Sequence, residues 1–240
     1  MKTRKLRLVS ALLAVAMMLA LLPTAAFAED STTIKYDCGE NGNNVIATLD
    51  TVTGTLTISG SGAMADYTSA NDQPWASQRS KIKKLVVENG VTTIGNTAFF
   101  RHTKLTEVDM SNATSLEKIG QYAFVDSCTG VKTIDLSKAI KLKEIGKDAF
   151  YGCGVESVTF PQNSQLTEIG DGINGVFGCC NNLKNIEIPE TVTRIGGSAF
   201  KGAGLTSIKI PASVTDIGNF AFEGTKLTSI KIPASVTDIR

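Results

Sequence analysis

The chain has 240 residues, with 24 Lys and Arg against 23 Asp and Glu and a formal net charge of +1. Four of those cations, Lys2, Arg4, Lys5 and Arg7, precede an apolar run from Leu8 to Leu22, then Pro23 and the small-x-small triplet Ala26-Phe27-Ala28, which is the pattern of a secretory signal over residues 1–28. Without them the balance is 20 against 23, a net of −3, which lacks the basic footprint that nucleic acid or an anionic membrane surface demands of a partner.

Residue 29 is Glu rather than Cys, so the sequence carries no lipid-attachment signal there. After signal cleavage no further membrane span is expected. Five cysteines remain, Cys38, Cys128, Cys153, Cys179 and Cys180, an odd and low number for a disulfide framework.

Residues 29–81 differ in pattern from residues 82–240 and are expected to form an N-terminal capping region. Val45–Asp50 and Thr55–Ser59 alternate apolar and polar residues around Thr53-Gly54 and predict a β-hairpin. The polar segment Asp66 to Ser80 holds Trp75, the one Trp, which is expected to plug the open end of a repeat stack. A sugar site around Trp75 and Tyr67 is the alternative reading of the same residues.

Residues 82–240 are repeats. Leu205–Ile217 and Leu227–Ile239 are identical over thirteen residues, 22 positions apart. Weaker copies of the unit apolar-x-x-apolar-x-apolar run back through Leu183/Ile186/Ile188, Val155/Val158/Phe160, Val131/Ile134/Leu136 and Leu105/Val108/Met110 to Ile82/Leu85/Val87. The last two apolar residues of each unit are two apart and share one face of a strand. Pro161, Pro189, Pro211 and Pro233 follow four of the strands, where a residue without an N–H suits the exit from a ladder.

A second signature comes after each strand: Ile-Gly at 94–95, 119–120, 145–146, 169–170, 195–196 and 217–218, then a Phe column at Phe99, Phe124, Phe150, Phe177, Phe200 and Phe222. A glycine fixed at one place predicts a turn that needs positive φ or leaves no room for Cβ. The Phe column predicts a stacked aromatic ladder, and the short run before it a helical turn. Ile to Phe is five residues except from Ile169 to Phe177, where Asp171–Gly175 makes a three-residue insertion, expected on the convex side. Units of this kind bury their apolar faces only by stacking, which gives a solenoid.

The units Ile-Gly-x-x-Ala-Phe and Leu-Thr-Ser-Ile-Lys-Ile-Pro-Ala-Ser-Val-Thr resemble the BspA-like leucine-rich repeats of bacterial surface proteins, over about residues 82–240. The stretch Gly54 to Met64 through Pro74-Trp75 also resembles the lead-in common in that group. The resemblance implies a leucine-rich-repeat-like solenoid: a parallel β-sheet, short helical turns or loops on the other side, and an N-terminal β-hairpin cap. It implies a secreted or surface-attached, bacterial protein. Some members are adhesins that bind host extracellular proteins, and the family has no shared catalytic residues to carry over.

Chemistry is hard to place on this chain. The one His, His102, lies in the loop Phe100–Lys104 with no nucleophile-elbow motif, and an exposed loop histidine is the expectation. Gly170-Asp-Gly172 and Gly175 lack the strand-to-helix context of a phosphate loop. Cys179-Cys180 has no Cys-x-x-Cys or His partner, so neither metal nor cofactor is expected. Cys153 and Cys180 sit three residues after the Phe column and Cys128 four, which predicts packed thiols on adjacent coils; a Cys153–Cys180 disulfide is the alternative.

The candidate binding residues are those pointing outward from the strands. They are Glu107, Asp109, Thr133, Asp135, Ser157, Thr159, Asn185, Glu187, Ser207, Lys209, Ser229 and Lys231, with the second column turning from acidic to basic along the chain. The functional expectation is a non-catalytic binding or adhesion module whose partner is an extracellular protein or glycan. The alternatives are the repeat portion of a larger extracellular protein with a catalytic or wall-anchoring domain elsewhere, and a structural spacer. The last repeat stops at Ile239-Arg240, before the Gly and Ala-Phe of the pattern, so self-association through an uncapped C-terminal repeat is expected.

Overall fold

The computed structural model describes residues 32–240; the signal-peptide reading of residues 1–28 lies outside them. Three strands open the described chain: β1 Thr33–Gly39, β2 Gly42–Asp50 and β3 Thr55–Gly60. They pair antiparallel in sequence order, with Leu49 opposite Leu56 and Ala47 opposite Ile58. Val45, Ala47, Leu49, Leu56 and Ile58 are fully buried, so the alternation read from sequence sets which face meets the core. The hairpin turn is held by Asp50 Oδ1, which accepts the N–H groups of Val52 and Thr53 at 2.8 and 3.2 Å. Strand β1 also alternates, with Ile34, Tyr36 and Cys38 on one side, but only Cys38 is buried, so the pattern marks an edge strand.

From β3 onward the chain coils, and each coil contributes to two walls. The first wall carries β3, then β5 Lys84–Val87, β7 Glu107–Asp109, β9 Thr133–Asp135 and β11 Ser157–Thr159. These are the predicted strands, in parallel register where paired: Leu56 beside Leu85 beside Val108, and Ile134 beside Val158. The second wall carries β4 Gly62–Ala63, β6 Val91–Ile94, β8 Lys118–Ile119, β10 Glu144–Ile145, β12 Glu168–Ile169, β13 Arg194–Ile195, β14 Asp216–Ile217 and β15 Asp238–Ile239. The sequence predicts one sheet; the Val/Leu-x-x-Ile stretch, read as the approach to a turn, builds a second parallel ladder instead. Its strands are mostly two residues long, too short to alternate visibly.

The repeated glycines owe their place to lack of room. None of Gly95, Gly120, Gly146, Gly170, Gly196 and Gly218 has positive φ. A Cβ would meet backbone atoms of the preceding coil at 1.9 Å for Gly95, 2.6 Å for Gly120, 2.5 Å for Gly146, 2.6 Å for Gly196 and 2.5 Å for Gly218. Left-handed backbone appears elsewhere, two residues before and two after each Phe. Before it stand Thr97, Tyr122, Asp148, Gly175, Ser198 and Phe220; after it stand Arg101, Asp126, Gly152, Cys179, Gly202 and Gly224. The predicted helical turn is therefore a run of i→i−3 bonds, such as Phe100 N–H to Thr97 C=O at 3.2 Å, interleaved with left-handed residues. That interleaving sends alternate N–H groups to the next coil: Thr97 to Gln121, Phe99 to Ala123 and Arg101 to Val125.

The aromatic ladder forms as expected. Phe99, Phe124, Phe150, Phe177, Phe200 and Phe222 stack at centroid spacings of 5.2 to 5.8 Å with interplanar angles of 3 to 21°. Trp75 extends the ladder, 5.8 Å from Phe99 at 20°, and is fully buried. Each offset ring pair contributes on the order of 1 kcal/mol beyond its buried area. Trp75 thus occupies the aromatic position of a first coil whose wall strands are β3 and β4.

Candidate binding face

The twelve outward residues read from sequence all lie along the first wall, on β7, β9, β11 and the three rows that continue it. Glu107, Thr133, Asp135, Thr159, Asn185, Glu187, Ser207, Lys209, Ser229 and Lys231 are exposed; Asp109 and Ser157 are half-buried. The acidic end is less bare than the sequence implies. Lys84 Nζ lies 2.6 Å from Glu107 and 3.6 Å from Asp109. The hydroxyl and N–H of Ser111 donate to Asp109 Oδ1, and with Lys84 they hold its carboxyl below the usual range. Among the described residues Asp135, Glu187 and Lys231 have no ion-pair partner, whereas Lys209 reaches Glu190 at 3.4 Å.

The wall is not continuous. Its ladder is interrupted between β7 and β9 and again after β11, which pairs only with β9. Beyond β11 the row Asn185–Glu187 is tied forward to the following coil by a single bridge, Glu187 with Lys209. The second wall is interrupted in the same coil: β10 ends one ladder and β12 begins the next. Gly120, Gly146, Gly196 and Gly218 each donate their N–H to the Ile of the preceding coil at 2.8 Å, and among the described residues Gly170 makes no such bond to Ile145. A Cβ on Gly170 would sit 3.2 Å from Ile145 O, where the other glycines leave 2.6 Å or less.

This seam has a local cause. The coil holding it carries the insertion Asp171–Gly175 and is the last with six residues, rather than four, between its first-wall strand and the following Leu or Val. The shortening from six to four falls between this coil and the next, where β11 loses its forward partner; toward the preceding coil the spacing is unchanged. The turn side stays closed: Phe150 N–H bonds Val176 C=O at 3.0 Å, and Gly175 takes the left-handed slot with φ +86°. On the second wall Arg194 ties the coil forward. It pairs with Glu168, with Asp171 at 2.9 Å and with Asp216 at 3.1 Å.

On the first wall the seam opens as a groove of about 790 Å³. Ser157, Thr159, Asn185 and Glu187, four of the predicted residues, line it, with Val158, Phe160, Ile186 and Ile188 beneath them. The structure brings those four together; Glu107, Asp109, Ser229 and Lys231 stand at the far ends of the wall. Sequence reading misses the groove because the break lies in the pairing between strands, although the insertion at 171–175 is its visible signal.

The other candidates become structural. The sequence puts His102 in an exposed loop; it is instead fully buried, and Trp75 Nε1–H donates to its Nε2 at 3.1 Å. Trp75 offers no platform to a sugar from that position. Cys128, Cys153 and Cys180 are buried free thiols, and no disulfide joins Cys153 to Cys180. Cys153 and Cys180 donate S–H to the carbonyls of Phe124 and Phe150 at 3.3 and 3.2 Å. Ser127, in the equivalent place, does the same for Phe99. Among the described residues no cluster of three or more His, Cys, Asp or Glu could hold a metal, and no helix is long and apolar enough to cross a membrane.

The model of the BspA type leucine rich repeat region matches residues 75–174 and 173–240, in six copies. A solved leucine-rich repeat protein from Eubacterium ventriosum is 26% identical with a TM-score of 0.52, over 86% of this chain and 68% of that one. A leucine rich cell surface protein from Faecalibacterium prausnitzii is 28% identical with a TM-score of 0.55, over 84% of this chain and 57% of that one. The leucine-rich repeat protein of T. pallidum shares the fold at 24% identity and a TM-score of 0.54, over 82% of this chain and 78% of that one. No curated protein matches at a significant level. Six matched copies over residues 75–240, the stacked Phe column and the Ile-Gly ladder lead to one conclusion: this chain belongs to the BspA-type leucine-rich-repeat family.

Proposed function

We propose that this chain is a non-catalytic binding module of the cell surface or extracellular space, and that its partner is an extended polypeptide laid across the first wall. The observation that carries the reading is the seam groove, where a break in the wall ladder coincides with Ser157, Thr159, Asn185 and Glu187. Strand edges that lack a neighbour are a template for an added strand, and alternate side chains of the guest then read the pockets beside them. Glu187, which has no cation among the described residues, favours a guest carrying Lys or Arg, while Glu190 at the rim already meets Lys209 at 3.4 Å. The surface location is supported by the family match and by the cell-surface description of the Faecalibacterium protein. Adhesion follows if the polypeptide belongs to a host matrix.

The test is a binding panel of purified extracellular-matrix proteins against the full chain and its Glu187→Arg variant. Capture of at least one member by the parent, weakened about tenfold in the variant, supports the reading. Equal capture by both, or none by the parent, contradicts it.

A further inference from the structure

A second concavity lies on the turn side, away from both walls, and no candidate residue falls in it. It measures about 540 Å³, within the ~300–1,000 Å³ range of small-ligand sites. Three half-buried aromatic residues line it, Phe100, Tyr122 and Tyr151, from three successive coils. Arg101 lies over the Phe100 ring with its guanidinium carbon 5.1 Å from the centroid. The rim segment 68–72 is fixed by Asp72, whose Oδ2 accepts the Thr68 hydroxyl at 2.6 Å and the Ser69 N–H at 2.8 Å.

At the floor is Asp148, 1% exposed and in left-handed backbone with φ 54°. Its Oδ1 accepts the Asn174 N–H at 2.9 Å, and its Oδ2 is buried with no hydrogen-bond partner among the described residues. A buried carboxylate oxygen left unpaired costs about 1–3 kcal/mol or more, and a hydroxyl delivered to it recovers that loss. The backbone here is already used: Tyr122, Phe124 and Asp126 donate to the next coil at 3.0, 2.7 and 3.0 Å. An added peptide strand therefore finds no free ladder on this side, in contrast to the first wall.

We infer that this turn-side groove binds a short neutral oligosaccharide. Sugar rings stack their C–H faces on Phe100, Tyr122 and Tyr151, and one hydroxyl donates to Asp148. The ligand needs apolar faces for the aromatic residues and hydroxyl donors for the carboxylate, and saccharides carry both on one ring. The inference goes beyond the polypeptide reading of the first wall and stands apart from it, because the two sites share no residue.

The experiment is a glycan array probed with the full chain, followed by calorimetric titration of the best neutral oligosaccharide into the parent and five variants. Tyr122→Ala and Tyr151→Ala each weaken binding about tenfold, through the lost stacking. Asp148→Asn, which tolerates left-handed backbone and so keeps the turn, also weakens it about tenfold. Phe220→Ala, at an exposed aromatic on the last coil, and Glu187→Arg in the first-wall groove leave it unchanged. Far-UV circular dichroism matching the parent establishes that each variant is folded. The inference is overturned if no neutral oligosaccharide on the array binds, if folded Tyr122→Ala and Tyr151→Ala bind as the parent does, or if proline-rich peptides rather than saccharides occupy the groove.

Discussion

Trp75 Nε1–H donates to His102 Nε2 at 3.1 Å, and both side chains are fully buried. The Nδ1 of His102 lies 3.3 Å from the Phe100 carbonyl, so the neutral ring with its proton on Nδ1 satisfies both contacts. One bond thereby joins the Trp75 coil to the coil that follows it, across 27 residues of sequence. Burial pushes the His102 pKa down to about 4, aided by the nearby Arg79 charge.

A pH dependence arises from the burial of His102. Between about pH 6.5 and 4 the unfolded chain takes up a proton at His102 and the folded chain does not. Stability attributable to this group is therefore complete above about pH 6.5 and falls as pH drops toward 4, by up to roughly 3 kcal/mol. Denaturant titrations from pH 7.5 to 4 measure the slope. His102→Gln removes the titrating group and flattens it; an unchanged slope in that variant would assign the acid sensitivity elsewhere.

The glycine column gives a position-dependent prediction. Gly146→Ala and Gly196→Ala drive a Cβ into backbone at 2.5 and 2.6 Å and destabilise by about 2–3 kcal/mol, lowering Tm by roughly 5–10 °C. At Gly170 the nearest atom is 3.2 Å away, so Gly170→Ala lowers Tm by less than about 2 °C. Thermal scans of the three variants decide whether the second wall stands apart at the seam.

The thiols divide by accessibility. Cys128, Cys153 and Cys180 are buried, and their stacking raises the Cys128 pKa, first through its hydrogen bond with Cys153 and then through burial. Burial pushes Cys38 up to about 12. Iodoacetamide at pH 8 under native conditions should therefore label Cys179, which is half-buried, and leave the other four until the chain unfolds. Mass spectrometry of the digested protein reads the pattern; rapid labelling of Cys153 or Cys180 would refute the packed-thiol assignment.

The architecture is legible where each coil repeats a residue type at a fixed offset. The Phe column and the first-wall strands are of this kind, because packing against the neighbouring coil restricts those positions to one chemistry. The second wall is not legible, since Lys118–Ile119 or Asp216–Ile217 is too short to show a period of two. The left-handed positions are equally hidden: Thr97, Tyr122, Asp148 and Ser198 share a backbone conformation and no side-chain chemistry. His102 is misplaced by sequence reading because its partner, Trp75, lies 27 residues away in a segment that lacks the Ile-Gly and Phe signature of the later coils. The turn-side aromatics escape notice for a related reason. Phe100 and Tyr151 follow the Phe column by one residue while Tyr122 precedes it by two, so no single column collects them.

The first wall is proposed to receive a polypeptide at the seam. This docking is tested most directly by measuring Kd for linear peptides, selected by display against the full chain, with the parent and two variants. Thr159→Arg places a charged side chain in the groove, whereas Thr215→Arg alters an exposed residue on the second wall. Thr159→Arg is expected to weaken binding at least about tenfold, and Thr215→Arg to stay within about twofold of the parent. Selected peptides that bind both variants alike, or that are lost only with Thr215→Arg, would contradict it.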